Sequence, residues 1–218
     1  MIKLVVFDLD GTLADTLKDL GTAMNAALAC ENLPGYPIEA YRHFVGSGID
    51  NLVKVTMADG YSPEGAGRVK AAFYAYYADH CIDFTTAYEG AGELLSRLEQ
   101  DGIMTAVLSN KPDRFVPRIL RTLYPAHRFT HAWGQREEFP RKPSPESLEA
   151  MIALCGCEKS EVLYVGDSDV DVIFAHHAGV KVCGVSWGFR GAQELTEAGA
   201  DNIVNSAEEL YSMIQESM

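Results

Sequence analysis

Short apolar runs alternate with segments of helical periodicity along most of this chain of 218 residues, and this alternation restricts the possible folds most strongly. The runs predicted as strands are Lys3–Phe7, Met104–Leu108, Thr130–Trp133, Val162–Val165, Lys181–Val185 and a short one at Asn202–Val204. The helices predicted between them are Glu89–Gln100, Asp113–Leu123, Pro145–Cys155 and Asp169–Ala178. Strands that alternate with helices form parallel sheets with right-handed crossovers. The sequence therefore predicts an α/β fold, a doubly wound parallel sheet with a Rossmann-like core.

The alternation is interrupted once, between Asp15 and Asp83, where no run has the character of a strand. Runs with helical spacing of apolar residues occur there at Thr16–Cys30, Ile38–Phe44, Ile49–Met57 and Pro63–His80. Such a stretch after the first strand has the pattern of an all-helical insertion. We therefore predict two domains, a Rossmann-like core formed by residues 1–14 and 84–218 and a helical cap formed by residues 15–83.

The formal net charge of −13 limits the partners of the chain, because it disfavours binding to other polyanions. Nucleic acid and anionic membrane surfaces are therefore not expected as partners. The chain opens without the pattern of a secretory signal and has no apolar stretch long enough to span a bilayer, so we expect a cytoplasmic protein. The sequence leaves open whether the protein is a monomer or a homodimer.

A pair of acidic residues directly follows the first predicted strand. Asp8 and Asp10 are two positions apart in extended backbone, so their carboxylates begin on the same face. Gly11 then permits a sharp turn. Open parallel sheets bind ligands at the carboxyl ends of their strands, where paired carboxylates suit a divalent cation and a covalent aspartyl intermediate. The alternative is a turn that carries two solvated acids.

Polar residues also follow other predicted core strands. Ser109 and Asn110 come after the second run, and Asp167 comes after the fourth. Neighbouring strand ends form one crevice, in which a hydroxyl and an amide can hold a phosphoryl oxygen and a carboxylate can hold a metal. Capping of the following helix is the alternative for Ser109 and Asn110. Asp171 lies on the same helical face as Asp167 and can orient that carboxylate or a bound water.

Four segments of the chain, in this order, resemble the motifs of the haloacid dehalogenase superfamily of phosphotransferases. They are Asp8–Leu13, Ser109–Lys111, Arg141–Pro143 and Gly166–Asp171. The resemblance extends from Leu4 to about Gly188 and implies a helical cap that closes over the active site. It also implies Mg²⁺ as the cofactor, held by Asp8, Asp167 and the main-chain carbonyl of Asp10.

The resemblance implies a role for each polar residue of the motifs. Asp8 is the expected nucleophile, which forms an aspartyl phosphate that water later cleaves. Asp10 is expected to protonate the leaving oxygen and then to activate water. Lys142 is expected to supply positive charge to the phosphoryl group, which Ser109 and Asn110 also bind. In isolation, the dipeptide that begins with Lys142 would be an ordinary solvated loop.

The predicted cap contains a turn that resembles the phosphoglycolate phosphatase branch of the superfamily, in which an arginine precedes a Val/Ile-Gly-x-Gly sequence. Here Arg42 precedes Gly46, Ser47 and Gly48, with Ser47 at a position where that branch often has asparagine. Main-chain N–H groups at such a turn suit an anion, and an arginine can pair with a carboxylate. We therefore predict that Arg42, Gly46 and Ser47 contact the substrate. A plain turn between two helices is the alternative.

Together these features predict a Mg²⁺-dependent phosphomonoester hydrolase that acts on a small phosphorylated metabolite, with 2-phosphoglycolate as the leading substrate. A pyrophosphatase, a nucleoside monophosphate phosphatase and a sugar-phosphate mutase share the implied core and are alternatives. The alternative from a different class is a phosphoacceptor or regulatory module without turnover, against which the presence of both Asp8 and Asp10 argues. Lys111, which follows Asn110, is assigned no catalytic role.

Overall fold

A six-stranded sheet forms the centre of the computed structural model, which describes residues 1–217. The strands of this sheet and of a separate ribbon are β1 (Leu4–Phe7), β2 (Ala14–Asp15), β3 (Thr86–Ala87), β4 (Met104–Pro112), β5 (His131–Gln135), β6 (Val162–Gly166), β7 (Lys181–Val185) and β8 (Asn202–Val204). The sheet order is β5-β4-β1-β6-β7-β8, and every neighbouring pair is parallel. This topology confirms the predicted α/β fold class.

Helices cover both faces of the sheet. They are α1 (Leu17–Ala29), α2 (Ile49–Met57), α3 (Pro63–His80), α4 (Ala91–Gln100), α5 (Val116–Leu123), α6 (Glu146–Leu154), α7 (Asp169–Ala178), α8 (Gly191–Ala198) and α9 (Ala207–Glu216). Apolar side chains of α4, α5 and α9 pack on one face, and those of α6, α7 and α8 pack on the other. Within residues 1–217, no helix combines the length and the apolar character needed to cross a bilayer.

Strand β1 is buried on both faces, as its uninterrupted apolar sequence predicts. Val5 and Phe7 join the apolar layer beneath α4, α5 and α9, whereas Leu4 and Val6 join the layer beneath α6, α7 and α8. All four side chains are at most 1% exposed. Because β1 lies between β4 and β6, the residue that follows it, Asp8, emerges at the middle of the carboxyl edge of the sheet.

Between β2 and β3 the described chain contains helices and turns but no strand, and we call residues 15–83 the helical insertion. In it, α1 packs along α3, and α2 packs against both. The run predicted as a helix at Ile38–Phe44 is a 3₁₀ helix over Ile38–His43, because Pro37 precedes it and a glycine-containing turn soon follows. The assignment of residues 15–83 to a cap and of residues 1–14 and 84–218 to a core remains our proposal.

A two-stranded antiparallel ribbon, formed by β2 and β3, joins the helical insertion to the sheet. Asp19, buried near the start of α1, holds this junction with its carboxylate. It accepts hydrogen bonds from the main-chain N–H groups of Phe84 and Thr85 and, at 2.7 Å, from the Thr85 hydroxyl. The sequence did not predict the ribbon, since two-residue strands are too short to show any periodicity.

Candidate active site

The carboxyl ends of three adjacent strands bring the predicted polar residues together. Asp8 follows β1, Ser109 and Asn110 lie in the last part of β4, and Asp167 follows β6. From β1 the chain first builds β4 and β5 on one side and later builds β6, β7 and β8 on the other. This edge beside β1 is therefore the topological switch point, where open α/β sheets bind their ligands.

Lys142 lies at the centre of the buried charges at this edge. Its Nζ is 3.0 Å from Asp8 Oδ1 and 2.7 Å from Asp171 Oδ1, and it donates to the Tyr164 hydroxyl at 3.0 Å. Burial alone would lower the pKa of Lys142, but the carboxylates of Asp171 and Asp8 outweigh burial and raise this pKa well above its ordinary value. Lys142 is therefore a permanent cation beside Asp8, as the expected role in phosphoryl binding requires.

Asp8 itself is 7% exposed, and burial raises its pKa to about 6 although the Lys142 ammonium acts in the opposite direction. Burial and then the neighbouring Asp171 and Asp8 carboxylates raise the pKa of Asp167 as well. Among the described residues, Lys142 thus pairs with Asp8 and Asp171, two of the three buried carboxylates, and no ion pair is found for Asp167. Water is largely excluded here, so the cluster carries more negative charge than the surrounding protein neutralises.

This acidic cluster fits a divalent metal ion. Carboxylate oxygens of Asp8, Asp167 and Asp171 lie within 4.8 Å of one another. Such oxygens are the ligands that Mg²⁺ prefers. Apart from its ion pair with Lys142, Asp8 Oδ1 accepts no hydrogen bond from a residue within 1–217. The cluster could therefore bind a metal through Asp8 and Asp167.

Asp171 differs from the other two acids because hydrogen bonds occupy both of its oxygens. Oδ1 accepts from Lys142, and Oδ2 accepts from the Ser168 hydroxyl at 2.7 Å and from the main-chain N–H groups of Asp167 and Ser168 at 3.2 Å. These contacts leave little capacity for a metal. Asp171 instead positions Lys142 and the start of α7.

Two glycines allow the main chain to approach the Asp167 carboxylate closely. Gly11 has φ of +88°, a conformation that side chains rarely adopt, and a Cβ on it would collide with this carboxylate. A Cβ on Gly188 would also collide with Asp167. The next residue, Phe189, donates its N–H to Asp167 Oδ2 at 2.7 Å. Sequence reasoning did not identify the segment at Gly188 as part of the site, because it carries no ionisable group.

Asp10 is held from two sides through a single oxygen. Its Oδ1 accepts from the Thr16 hydroxyl at 2.6 Å and from Lys111 Nζ at 2.9 Å. Burial would lower the pKa of Lys111, but the Asp10 carboxylate outweighs burial and raises this pKa above its ordinary value. Lys111, to which the sequence analysis assigned no role, is thus a buried cation at the residue expected to act as acid and base. In the sequence, only its position directly after Asn110 indicated that Lys111 could belong to the site.

We expected the side-chain amide of Asn110 to bind a phosphoryl oxygen, but it is hydrogen-bonded to other groups of the protein. Its Nδ2 donates to Gly46 O at 2.9 Å and to Lys142 O at 3.2 Å, and its Oδ1 accepts from the Lys142 N–H at 2.9 Å. In this arrangement the side chain positions Lys142 and contacts the helical insertion. Ser109, which is 7% exposed, accepts a hydrogen bond from the Lys111 N–H at 3.3 Å.

The turn at residues 43–50 of the helical insertion is bound to the core by polar contacts. Asn110 donates to Gly46 O, Arg190 donates to Val45 O at 2.9 Å, and Arg141 pairs with Asp50. The helical insertion is therefore seated on the strand ends. Of the residues predicted to contact substrate, this arrangement places only one against the crevice.

That residue is Gly46, whereas Ser47 is exposed. Arg42 pairs with Glu39 at 2.7 Å and directs a second nitrogen toward Gly188 O at 3.5 Å. Neither Arg42 nor Ser47 lines the cavity over Asp8. The spacing of the turn could not reveal this outcome, because it does not specify which way each side chain points.

A small, partly open cavity lies between the helical insertion and the strand ends. It offers about 30 Å³ to the centres of water molecules, which is room for roughly two waters. Its polar lining consists of Asp8, Asp10, Ser109, Asn110, Lys111 and Tyr77. The rest of the lining is apolar or glycine: Leu20, Val45, Gly46, Gly48, Ile49, Leu52 and Pro112. The cavity thus has the paired acids in one part of its wall and mostly apolar residues in the rest.

Comparison with known proteins agrees with the resemblance inferred from the motifs. Residues 5–185 match the family model of the haloacid dehalogenase-like hydrolases. A phosphoglycolate phosphatase of Mannheimia succiniciproducens is 31% identical over 219 aligned residues, which cover 97% of this chain and 98% of the relative. A phosphoglycolate phosphatase of Haemophilus influenzae is 32% identical with the same coverage.

Solved structures share the fold over nearly the whole chain. The crystal structure of a Lactobacillus delbrueckii subsp. bulgaricus protein superposes with a TM-score of 0.92 at 30% identity, covering 97% of this chain and 98% of that one. A predicted phosphoglycolate phosphatase from Haemophilus somnus superposes with a TM-score of 0.90 at 28% identity, covering 98% of each chain. The similarity thus includes the helical insertion as well as the sheet.

Proposed function

We propose that this chain, which belongs to the haloacid dehalogenase-like hydrolase family and is a phosphatase, hydrolyses 2-phosphoglycolate with Mg²⁺ through an aspartyl phosphate on Asp8. The observation that carries the proposal is the arrangement around Asp8. This carboxylate lies 3.0 Å from a buried ammonium, next to a second carboxylate suited to a metal, and lines a small cavity beneath the helical insertion. The named relatives support the choice of substrate.

The residues of the chain divide the proposed reaction between them. Asp8 attacks phosphorus, and an Asp8 O–P bond forms as the bond to the leaving oxygen breaks. Asp10 gives its proton to that oxygen and then takes one from the water that cleaves the aspartyl phosphate. Lys142 neutralises charge on the phosphoryl oxygens, and the Ser109 hydroxyl donates to one of them.

Mg²⁺ would be held by Asp8, Asp167 and the main-chain carbonyl of Asp10, and it would supply further charge neutralisation at the phosphoryl group. Asp171 holds the Lys142 ammonium at 2.7 Å from its Oδ1, beside Asp8. The Asp10 carboxylate keeps one oxygen, Oδ2, free of the Thr16 and Lys111 contacts. That oxygen is the one we propose for proton transfer.

The size of the cavity favours a small substrate over the alternatives. Room for roughly two waters beside the acids is less than any phosphate ester needs, so every candidate substrate must move the helical insertion outward, and a two-carbon remainder moves it least. A nucleoside or a sugar ring is several times larger and would hold the helical insertion away from the strand ends. A sugar-phosphate mutase or a nucleoside monophosphate phosphatase would therefore need a more open arrangement than this one.

We expect the purified protein to release inorganic phosphate from 2-phosphoglycolate in the presence of Mg²⁺. Chelation of the metal should lower the rate at least about 100-fold, because a bound cation supplies several kcal/mol of charge stabilisation in the transition state. Phosphate release is measured in parallel from pyrophosphate, a nucleoside monophosphate and a hexose phosphate. Faster turnover of any of these three than of 2-phosphoglycolate would overturn the proposed substrate, and metal-independent turnover would overturn the proposed cofactor.

The variant Asp10→Asn separates the two chemical steps. The substituted amide keeps the shape of the side chain but can neither protonate the leaving oxygen nor take a proton from water. We expect both steps to slow, and the step that deprotonates water to slow more, about 10²- to 10⁴-fold. A phosphoenzyme should then accumulate, and intact-mass spectrometry after mixing with 2-phosphoglycolate measures it. Steady-state turnover at the wild-type rate, with no added phosphoryl mass, would contradict the role of Asp10.

A further inference from the structure

The hydroxyl of Tyr77 is a buried polar group that the proposed chemistry leaves unused. Tyr77 belongs to α3 of the helical insertion and is 0% exposed, and its hydroxyl has no hydrogen-bond partner among residues 1–217. The ring is held rigidly, stacked on Phe73 at 5.2 Å between centroids and edge-on to Phe115 at 4.9 Å. A buried hydroxyl without a partner is costly to the fold, so it points to a group that is supplied by a ligand.

Tyr77 lines the cavity that is also lined by the carboxylate residues Asp8 and Asp10. Its neighbour there is Lys111, whose Nζ is 4.8 Å from the centre of the Tyr77 ring. Lys111 uses one of its ammonium hydrogens for Asp10, and an ammonium has three. An anion in the cavity could therefore receive hydrogen bonds from both side chains without displacing Asp10.

The rest of the polar lining is already committed. Asp8 and Asp10 are the proposed nucleophile and proton carrier, and the Asn110 amide is bonded to Lys142 and Gly46. The remaining wall is apolar or glycine. A substrate that extends from the phosphoryl group into this compartment meets one cation and one neutral phenol. This combination suits a negatively charged acceptor better than a hydroxyl or an alkyl group.

We propose that Tyr77 and Lys111 form a subsite for the carboxylate of the substrate and thereby determine specificity for a short phosphorylated acid. The inference rests on the proposed phosphatase activity and extends it, because it assigns recognition of the organic part to two named side chains. The helical insertion contributes Tyr77 and the core contributes Lys111. The carboxylate would thus bridge the two parts of the molecule, and binding of the acid would favour the seated arrangement.

The test compares 2-phosphoglycolate with ethyl phosphate, which has a methyl group in place of the carboxylate. The variant is Tyr77→Phe, which removes only the unpartnered hydroxyl, and the matched control is Tyr76→Phe on the same helix but outside the cavity. We expect Tyr77→Phe to lower kcat/KM for 2-phosphoglycolate about 10- to 100-fold, mainly through KM, since a hydrogen bond to a charged group is lost. Turnover of ethyl phosphate should change less than about twofold.

Thermal unfolding distinguishes loss of recognition from loss of structure. Tyr77→Phe should unfold at the wild-type temperature or above it, because the removed hydroxyl has no partner. Lys111→Gln is the second variant. Loss of its contact with Asp10 should slow the turnover of both substrates. The ratio of kcat/KM for 2-phosphoglycolate to kcat/KM for ethyl phosphate should also fall. An unchanged ratio in Tyr77→Phe and in Lys111→Gln would overturn the subsite while leaving the proposed function intact.

Failure of the proposed function has a different signature. If the wild type releases phosphate from neither compound, calorimetric titration in the presence of Mg²⁺ measures the affinity for each compound and so tests the subsite. Binding of 2-phosphoglycolate that is tighter than binding of ethyl phosphate, and that Tyr77→Phe weakens, supports the subsite without turnover. Equal affinities for the two compounds overturn it.

Discussion

Replacing Asp8 with Asn is expected to lower kcat for 2-phosphoglycolate at least about 10⁴-fold, because an amide cannot form the acyl phosphate. The side chain is at the carboxyl end of the central strand, 3.0 Å from Lys142. Phosphate release is measured with saturating Mg²⁺ and substrate, so that the measured rate reports kcat and is not lowered by weaker binding. Intact-mass spectrometry should detect no phosphoenzyme in this variant.

The same substitution should not destabilise the metal-free protein. Burial raises the pKa of Asp8 to about 6, so near neutral pH the ionised carboxylate costs the folded state more free energy than it costs the unfolded chain. The amide has nearly the same shape as the carboxylate and removes that buried charge, so the melting temperature without Mg²⁺ should stay the same or rise. Added Mg²⁺ should raise the melting temperature of the wild type but not that of the variant. Activity within tenfold of wild type would exclude Asp8 as the nucleophile.

The positions of Asp8, Ser109 and Asp167 could be predicted because each follows a strand with a clear apolar pattern. The periodicity identified the strands, and the parallel topology then required their carboxyl ends to meet. Helices α2, α3 and α7 begin and end at the predicted residues for a similar reason, since their apolar spacing is regular. Local pattern and global topology agree in these segments.

The contacts made by side chains across the two parts of the molecule could not be predicted. Tyr77 has the sequence pattern of one member of an aromatic helix face, and nothing local shows that this residue lines the cavity. The bond from Asn110 to Gly46 O joins residues that are 64 positions apart. Glu39 and the loop at Gly188 orient the Arg42 side chain, and the spacing of the turn does not reveal these contacts.

Charge explains why the site depends so strongly on one lysine. Asp8, Asp167 and Asp171 are each buried, and Lys142 is the cation that lies within 3.0 Å of two of them. A bound metal can compensate Asp8 and Asp167, but Asp171 has hydrogen bonds on both oxygens and keeps Lys142 as its partner. Lys142 is therefore expected both to bind the phosphoryl group and to stabilise the fold by pairing with Asp171.

Replacing Lys142 with Met is expected to affect activity and stability together. Removing one partner of a buried ion pair leaves an uncompensated charge, which costs about 3–5 kcal/mol, and Asp171 would be left in that state. We also expect kcat/KM to fall at least about 10³-fold, because the phosphoryl group loses a preorganised cation. Urea unfolding and phosphate release measure the two effects. The control Arg141→Met removes the neighbouring, partly exposed cation and should cost no more than about 1 kcal/mol.

A second substitution separates the two roles of Lys142. In Lys142→Met with Asp171→Asn, the charge of Asp171 is removed together with its partner, so a large part of the lost stability should return. Activity should not return, since an amide at position 171 places no cation near Asp8. Recovery of phosphate release in the double variant would show that Lys142 acts only by neutralising Asp171. If stability does not recover, the cost of losing Lys142 arises from packing and from the unpaired Asp8.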